Sequence, residues 1–318
     1  MNYVGVDLGG TNMTAAVLDD SYAVIAQAKR LTSCPRPYDA ILDDVARTVL
    51  DAVEKAGISP SDFAYVGVGS PGVVSAADGV VIDAVNLGFK NVPLGSYLSR
   101  KLGVRVILEN DANAAAYGEF LAGAAKNTND FIALTIGTGI GSGVILDKNI
   151  YRGANGVGGE LGHTVVVLDG RPCSCGRKGC MDVYASATGL ITSTKEAMRA
   201  DGRSLLWRLV NGDISAVNGA SAFSAAKQGD ETACAVVASY VRVLAACVTN
   251  IVNIFQPDMI SIAGGVSREG EYLLEPVRAL VQSECLKNPK GRVPIICAAT
   301  LQDKAGVIGA ALLGVRNR

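Results

Sequence analysis

Short runs of β-branched and other apolar residues alternate along this chain with stretches in which apolar residues recur at helical spacing. The first run, residues 3–8, breaks at a glycine pair and then resumes, which predicts a hairpin. Apolar positions over 41–53 follow a helical period and Gly57 can act as a C-cap, which predicts a helix over 39–56. This alternation of strands and helices is typical of an α/β protein.

The opening pattern is repeated near the middle of the chain. A shift of 128 positions (135 minus 7) lays residues 131–147 over residues 3–19, and each segment is a strand, a glycine turn and a second strand that ends at an aspartate. Such a duplication predicts two related domains that face each other. Further along, the pattern predicts a helix over 230–256, strands over 259–263 and 293–298, and a last helix over 304–313, with no clear assignment for 186–228.

Composition narrows the classes of partner. The 29 basic and 30 acidic residues give a net charge of −1, so there is no electrostatic surplus for binding nucleic acid or an anionic membrane. Residues 1–11 enter a strand pattern without the basic and apolar regions of a signal peptide, and no uninterrupted apolar run long enough to span a bilayer follows. We therefore expect a cytoplasmic protein that acts on a small molecule.

Two glycine turns are the first candidates for ligand binding. Glycine lets a backbone approach a phosphate with its N–H groups, and threonine adds a hydroxyl donor. Glycine hairpins are common, so one turn alone would favour a purely structural role, whereas two at equivalent places favour a nucleotide held between two hairpins. Neither turn matches the P-loop or the dinucleotide fingerprint, since a strand and not a helix follows. The candidate phosphate contacts are Gly9, Gly10, Thr11, Gly137, Thr138 and Gly139.

Three cysteines and the only histidine form a candidate metal site. Cys173, Cys175 and Cys180 have the spacing Cys-x-Cys-x4-Cys, and His163 lies ten residues before the first of them. One imidazole and three thiolates suit tetrahedral zinc, and four protein ligands leave no open position, so the site would be structural. The alternative is three ordinary thiols and a surface histidine, which is disfavoured because the segment is polar and rich in glycine.

Five motifs together resemble the ROK family (repressors, open reading frames, kinases). They are DLGGT at 7–11, END at 109–111, IGTGIGSG at 136–143, GVGGELGH at 156–163 and CSCGRKGC at 173–180. The segment ASATGL and the region from SAFSAAKQGD to EPVRALV look most like bacterial ATP-dependent glucokinases of this family. The resemblance implies a two-domain actin-like ATPase (ribonuclease-H-like) sugar kinase fold with an interdomain cleft. Its small domain would comprise 1–113 plus 303–318, and its large domain, with the zinc site, 114–302.

The resemblance makes Asp111 the expected catalytic base. A sugar hydroxyl is a poor nucleophile at neutral pH, and an aspartate at a strand end can take its proton during phosphoryl transfer. The alternative role for Asp111 is that of a helix N-cap. The resemblance further implies that Asn110 binds a sugar hydroxyl and that Asp7 holds, through water, the Mg²⁺ that accompanies ATP. Asp7 could instead satisfy turn amides.

The resemblance also implies a sugar pocket. Glu160 and the zinc-bound His163 would contact sugar hydroxyls, so that zinc shapes one wall of the pocket. Family members usually carry a glutamate that contacts the sugar near its anomeric end, and this chain has the shorter Asp182 at that position. The resemblance therefore determines the family better than it determines the sugar. The resemblance implies further contacts of Ser70, Gly72 and Asn86 with the sugar. It also implies that Gly264 and Gly265 contact adenine and ribose; the alternative is that these two glycines only form a tight βα turn.

These inferences predict an ATP-dependent hexokinase of carbohydrate metabolism that phosphorylates the 6-hydroxyl of a hexose, with glucose as the first choice. N-acetylmannosamine, mannose, fructose and allose stay open as sugars, and polyphosphate stays open as a donor. A sugar-responsive regulator is disfavoured because the sequence opens directly on the first strand, without a helix-turn-helix. A zinc module that binds nucleic acid is disfavoured by the charge. The resemblance also implies a homodimer.

Overall fold

The computed structural model of the protein describes residues 1–287, 291 and 293–315. The chain groups into two compact units. The first contains Met1–Ala133, Gly143–Gly159 and the chain from Ala299 on, and the second contains Leu134–Ser142 and Glu160–Ala298. The domain boundary predicted between residues 113 and 114 differs from this grouping and stays a prediction, because a grouping by contacts does not test which segments fold together.

Strands and helices alternate as the sequence predicts. The strands are β1 (Tyr3–Leu8), β2 (Asn12–Leu18), β3 (Val24–Leu31), β4 (Tyr65–Ser70), β5 (Val73–Ser75), β6 (Val80–Ala84), β7 (Phe89–Val92), β8 (Arg105–Asn110), β9 (Phe131–Ile136), β10 (Ile140–Leu146), β11 (Asn149–Ile150), β12 (Met259–Ala263) and β13 (Ile295–Ala298). The α-helices are α1 (Tyr38–Ala56), α2 (Leu94–Leu102), α3 (Asp111–Leu121), α4 (Asp182–Ala185), α5 (Ala187–Ala200), α6 (Leu205–Leu209), α7 (Ser221–Ala226), α8 (Glu231–Phe255), α9 (Glu271–Glu284) and α10 (Ala305–Leu312).

Two five-stranded sheets have the same strand order, β3-β2-β1-β4-β8 in one and β11-β10-β9-β12-β13 in the other. In the first, β2 is antiparallel to β1 and β3, whereas β4 is parallel to β1 and β8. In the second, β10 and β11 are antiparallel and β12 and β13 are parallel. The two glycine hairpins of the repeat occupy equivalent positions, which confirms the predicted duplication. The three-stranded sheet β5-β6-β7 was not predicted.

Helix α1 shows how the apolar pattern builds the core of the first unit. The helix buries the apolar face that predicted it, including Ile41, Val45 and Val49, which are at most 1% exposed. Each such side chain contributes about 1.5–3 kcal/mol by leaving water. Gly57 ends the helix with a φ of +67°, a left-handed conformation that glycine adopts without strain. The predicted helix and its cap are confirmed.

Helix α10 fixes the strands that carry the candidate catalytic residues. It packs against β1, β4 and α3. The packing is close because glycines face each other, and a Cβ on Gly118 of α3 would lie 2.9 Å from the backbone nitrogen of Gly309. The hydroxyl of Tyr65 also donates to the carbonyl of Ala311 at 2.8 Å. The C-terminal helix therefore belongs to the core of the first unit.

Helix α8 is the long helix predicted over 230–256. Asp230 caps its start by accepting from the Ala233 N–H at 2.8 Å, and the helix ends at Phe255, followed by the left-handed C-cap Gln256. By length and composition this helix could cross a membrane, whereas the sequence pattern predicted no uninterrupted apolar run of that length. Its most apolar window is 61% buried inside the structure, as in a core helix of a globular protein.

Candidate active site and metal centre

The carboxyl ends of three parallel strands bring the candidate catalytic residues of the first unit together. Asp7 of β1 lies in register with Gly69 of β4, which pairs in turn with Glu109 of β8. Ser70 and Asn110 pair one position further along. Ligands of open α/β sheets bind beyond the carboxyl ends of the strands. The strand order therefore makes one cluster from residues that are far apart in the sequence.

Asn110 caps helix α3 and leaves Asp111 at its first position. The Asn110 side-chain oxygen accepts from the N–H groups of Ala112 and Asn113 at 2.9 and 3.1 Å, so the N-cap role considered for Asp111 belongs to Asn110. The Asn110 amide nitrogen donates to the Gly72 carbonyl at 3.1 Å. The Asn110 side chain also hydrogen-bonds to the Asp111 carboxylate, which opposes the effect of burial on the pKa of Asp111. The predicted contact of Asn110 with a sugar hydroxyl stays a prediction.

Asp111 and Asp7 are two carboxylates in a poorly hydrated environment. Burial raises the pKa of Asp111 above its ordinary value of 3.8. Burial, and then the charge of Asp111, raises the pKa of Asp7 to about 6. A raised pKa improves a carboxylate as a proton acceptor, and a cation nearby would favour the ionised form of both groups. The pair therefore suits a site that binds a hard cation next to a base.

The residues expected to contact sugar from the small domain lie in different surroundings. Gly72 has a φ of +86°, and a Cβ there would overlap the Asp83 carbonyl, so this turn requires glycine. Ser70 is fully buried and donates to the Pro71 carbonyl at 3.3 Å. Asn86 is exposed and lies beside the first glycine turn, where a Cβ on Gly10 would be 3.2 Å from the Asn86 Cβ. Their contacts with sugar stay predictions.

The first glycine turn is a tight hairpin between β1 and β2. The Gly9 N–H donates to the Asn12 carbonyl at 2.9 Å, and the Thr32 hydroxyl donates to the Gly9 carbonyl at 2.7 Å. Gly10 and Thr11 form the exposed side of the turn, since Thr11 is exposed and Gly10 is half-buried. Their backbone is thus open to a ligand, as a phosphate contact requires.

An ion pair between a buried carboxylate and a partly exposed arginine supports the same strand end and was missed in the sequence. The Glu109 side chain is 2% exposed, and its carboxylate accepts from Arg152 Nε at 2.7 Å and from Arg152 Nη2 at 2.5 Å. Its other oxygen accepts from the Asn110 N–H at 3.0 Å and the Asn113 amide at 3.1 Å. Glu109 therefore holds the backbone next to Asp111, and Arg152 compensates the charge of Glu109.

Replacement of Arg152 by alanine should destabilise the first unit. The buried Glu109 carboxylate would lose its cation, and we expect the free energy of unfolding to fall by about 1–3 kcal/mol, below the value for a fully buried pair because Arg152 is 43% exposed. The matched control is Arg47→Ala, because Arg47 is 65% exposed and its partner Asp44 keeps Arg36. Denaturant unfolding should show a change within about 0.5 kcal/mol for the control. Equal stabilities of the two variants would contradict this role for Arg152.

The second glycine turn lies between β9 and β10. The Gly137 N–H donates to the Gly139 carbonyl at 2.9 Å, and the Gly137 carbonyl accepts from Ala187 N–H at 2.9 Å. Gly264, which follows β12, has a φ of +91°, and a Cβ on it would overlap the Ile136 carbonyl. Only glycine allows this approach. The Gly264 turn therefore lies directly beside the strand that leads into the second glycine turn, and its predicted contact with adenosine stays a prediction.

Glu160 and His163 are held by a short 3₁₀ turn, Leu161–His163. The His163 N–H donates to the Glu160 carbonyl at 3.1 Å, and the Leu161 N–H donates to the Ser142 hydroxyl at 3.0 Å. The Glu160 side chain is exposed, whereas Leu161 is buried and anchors the turn. Glu160 is therefore available to a ligand, and its predicted contact with sugar stays a prediction.

The four candidate zinc ligands come together in the second unit. His163, Cys173, Cys175 and Cys180 each offer a ligand atom, and all four atoms lie within 4.8 Å of one another. The Sγ atoms of Cys175 and Cys180 are 3.7 Å apart, as are Cys173 Sγ and His163 Nδ1. Ligands at zinc–sulfur distances of about 2.3 Å in a tetrahedron are separated by about 3.8 Å. The cluster therefore fits a tetrahedral zinc ion.

Comparison with known proteins identifies the family. A family model described as the ROK family matches residues 3–317. The chain belongs to the ROK family. The glucokinase of Thermotoga maritima is 34% identical over 312 residues, which cover 98% of this chain and 96% of that protein. The crystal structure of a ROK family glucokinase from Streptomyces griseus in complex with glucose and AMPPNP is 34% identical, with a TM-score of 0.81 and coverage of 98% and 99%.

Repressors are also among the similar ROK proteins. The xylose repressor of Caldicellulosiruptor bescii is 32% identical over 308 residues, which cover 96% of this chain and 76% of that protein. The family resemblance and the actin-like ATPase fold predicted from the motifs are confirmed. The ROK family thus accounts for the fold, while the choice between catalysis and regulation depends on the site.

Proposed function

We propose that this ROK protein is an ATP-dependent hexokinase that transfers the γ-phosphoryl group of ATP to the 6-hydroxyl of glucose. The observation that carries this proposal is the likeness, at 34% identity along nearly the full chain, to a ROK glucokinase crystallised with glucose and AMPPNP. The glucokinase of Thermotoga maritima supports it at the same identity. Asp111, beside a buried carboxylate at the strand ends, supplies the base that such a reaction needs.

In this proposal Asp111 takes the proton of the attacking hydroxyl. Asn110 holds a sugar hydroxyl, and Glu109 keeps the backbone of Asn110 in place. Glu160 and His163 bind further hydroxyls of the hexose. The N–H groups of the two glycine turns bind phosphate oxygens, and Gly264 with Gly265 leaves room for adenine and ribose. Each role is local, so each can be tested by its own variant.

Two metal ions complete the proposal. Asp7, a carboxylate with a pKa raised to about 6, would hold the Mg²⁺ that accompanies ATP. That ion supplies positive charge that shields the phosphates. His163 and the three cysteines would hold zinc, which keeps the imidazole and the Glu160 turn in a fixed position. We also propose a cytoplasmic homodimer that supplies glucose 6-phosphate to glycolysis.

A second candidate is a regulator that binds sugar without phosphorylating it. The similarity to a xylose repressor favours it, since that protein has the same core. The net charge of −1 offers no basic surplus for DNA. A regulator would also have no need for a base with a raised pKa at the strand ends. We therefore rank regulation below catalysis.

The substrate should emerge from an ADP-release assay over a panel of hexoses and N-acetylhexosamines. We expect glucose to give the highest kcat/KM with ATP as the donor, with mannose, fructose, allose and N-acetylmannosamine below it. The measurement is the initial rate with each sugar at several concentrations. A higher kcat/KM for another sugar would reassign the substrate within the kinase class. If no sugar stimulates ADP release, the proposed function is wrong.

A further inference from the structure

The carboxylate of Asp182 bonds to the backbone of the second glycine turn. We propose that Asp182 is a positioning residue that fixes the turn Gly137–Ile140 for binding the phosphates of ATP, an inference that rests on the proposed kinase function. The family resemblance implies a different role for this position, namely contact with the sugar. The positioning role predicts that Asp182 variants bind ATP more weakly, whereas the sugar contact predicts that they bind the sugar more weakly.

The geometry ties Asp182 to the turn at two points. Asp182 Oδ1 accepts from the Ile140 N–H at 2.6 Å, a short bond between a carboxylate and a backbone donor. The same oxygen lies against Gly139, where a Cβ would come within 2.6 Å of it. Gly139 therefore has no room for a side chain unless Asp182 moves. The turn and the carboxylate are packed against each other as well as bonded.

Asp182 is itself held firmly by the segment with the zinc ligands. Cys180, two residues earlier, forms a β-bridge with Val165, and the Met181 N–H donates to the Thr164 carbonyl at 2.8 Å. Met181 is fully buried. On the other side, the Ala187 N–H donates to the Gly137 carbonyl at 2.9 Å. Helices α4 and α5, which follow the zinc ligands, thus hydrogen-bond to the second glycine turn at both of its ends.

This arrangement selects which donors the turn offers to a phosphate. Because Asp182 occupies the Ile140 N–H, phosphate oxygens are left with the N–H groups of Thr138 and Gly139 and the Thr138 hydroxyl. A donor set that is fixed before the ligand arrives costs less ordering free energy on binding. A longer glutamate at 182 would need a folded side-chain rotamer, or a displaced turn, to make the same contact. The shorter aspartate of this chain therefore suits a bond to the turn.

The test is a pair of variants whose affinities for the two substrates are measured separately. Asp182→Ala removes the acceptor, whereas Asp182→Asn keeps an oxygen that can accept from the Ile140 N–H. Calorimetry measures the Kd of a non-hydrolysable ATP analogue and, in a separate titration, the Kd of glucose without nucleotide. We expect the Kd of the analogue to rise by about tenfold or more in Asp182→Ala and by less than about threefold in Asp182→Asn. The Kd of glucose should change by less than about twofold in both variants.

Two outcomes would overturn the positioning role. One is an unchanged affinity for the analogue in Asp182→Ala, and the other is a loss of glucose affinity as large as the loss of analogue affinity, which would indicate a sugar contact or a general disturbance. Zinc content equal to that of the wild type checks that the fold is intact. These titrations do not require turnover. Failure of the kinase proposal would appear in the wild-type ADP-release assay instead.

Discussion

Replacing Asp111 with asparagine should lower the turnover of the sugar-dependent reaction by about 10²–10⁴-fold, the usual loss when a general base is removed. Asparagine has the same size and can still accept from the Ala112 N–H, a bond of 2.9 Å in the wild type. It cannot take the proton of the hydroxyl. We therefore expect the Kd of glucose, measured by calorimetry, to stay within a few-fold of the wild-type value.

The pH dependence of the wild type reports on the two carboxylates of the site, Asp111 and Asp7, whose pKa burial also raises, to about 6. Burial raises the pKa of Asp111 above 3.8, and protonation removes the base. Activity should therefore decline as the pH falls through that raised pKa, at a higher pH than an exposed aspartate would titrate. For the comparison of turnover with Asp111→Asn, the control variant is Asp20→Asn. Asp20 is an exposed aspartate of the first unit, and the turnover of this variant should equal that of the wild type. Near-normal turnover in Asp111→Asn would remove Asp111 from the role of base.

Loss of zinc is expected to damage sugar binding and folding together. Cys175→Ser removes one of four ligand atoms that lie within 4.8 Å of one another, and we expect zinc to fall from about one per chain to a small fraction of that. His163 would then lose its fixed orientation. The affinity for glucose should fall by about tenfold or more, the cost of losing one strong hydrogen bond. Metal analysis, calorimetry and thermal unfolding measure the three effects.

The matched control for the zinc prediction is Cys234→Ser. Cys234 is an exposed free cysteine of helix α8 that lies outside the metal cluster. Its replacement should leave the zinc content, the melting temperature and the affinity for glucose unchanged. The zinc account would be contradicted if Cys175→Ser lost its zinc and still bound glucose with wild-type affinity.

Local patterns predicted the parts of the fold that depend on neighbours in the sequence. The apolar period and Gly57 were sufficient for helix α1, and the glycine turns were sufficient for both hairpins. The small sheet β5-β6-β7 was missed because its strands are only three to five residues long. Such short runs carry too little alternation to distinguish a strand from a loop.

Site residues that depend on tertiary contacts could not be predicted in the same way. Glu109 and Arg152 are 43 positions apart, and no spacing rule connects them. Asn110 and Asp111 are both favoured N-caps, so the sequence could not decide which one caps α3. The bond from Ile140 to Asp182 likewise spans 42 positions. In each case the missing information was which strand ends and turns lie next to each other.

Transfer of the γ-phosphoryl group from ATP to the hexose is measured most directly by ³¹P NMR of the wild-type protein with ATP, Mg²⁺ and glucose. We expect the γ-phosphate signal of ATP to be replaced, one for one, by the signal of a phosphate monoester on C6 of glucose, with ADP as the other product. Release of inorganic phosphate without sugar phosphate, or no consumption of ATP, would contradict the account.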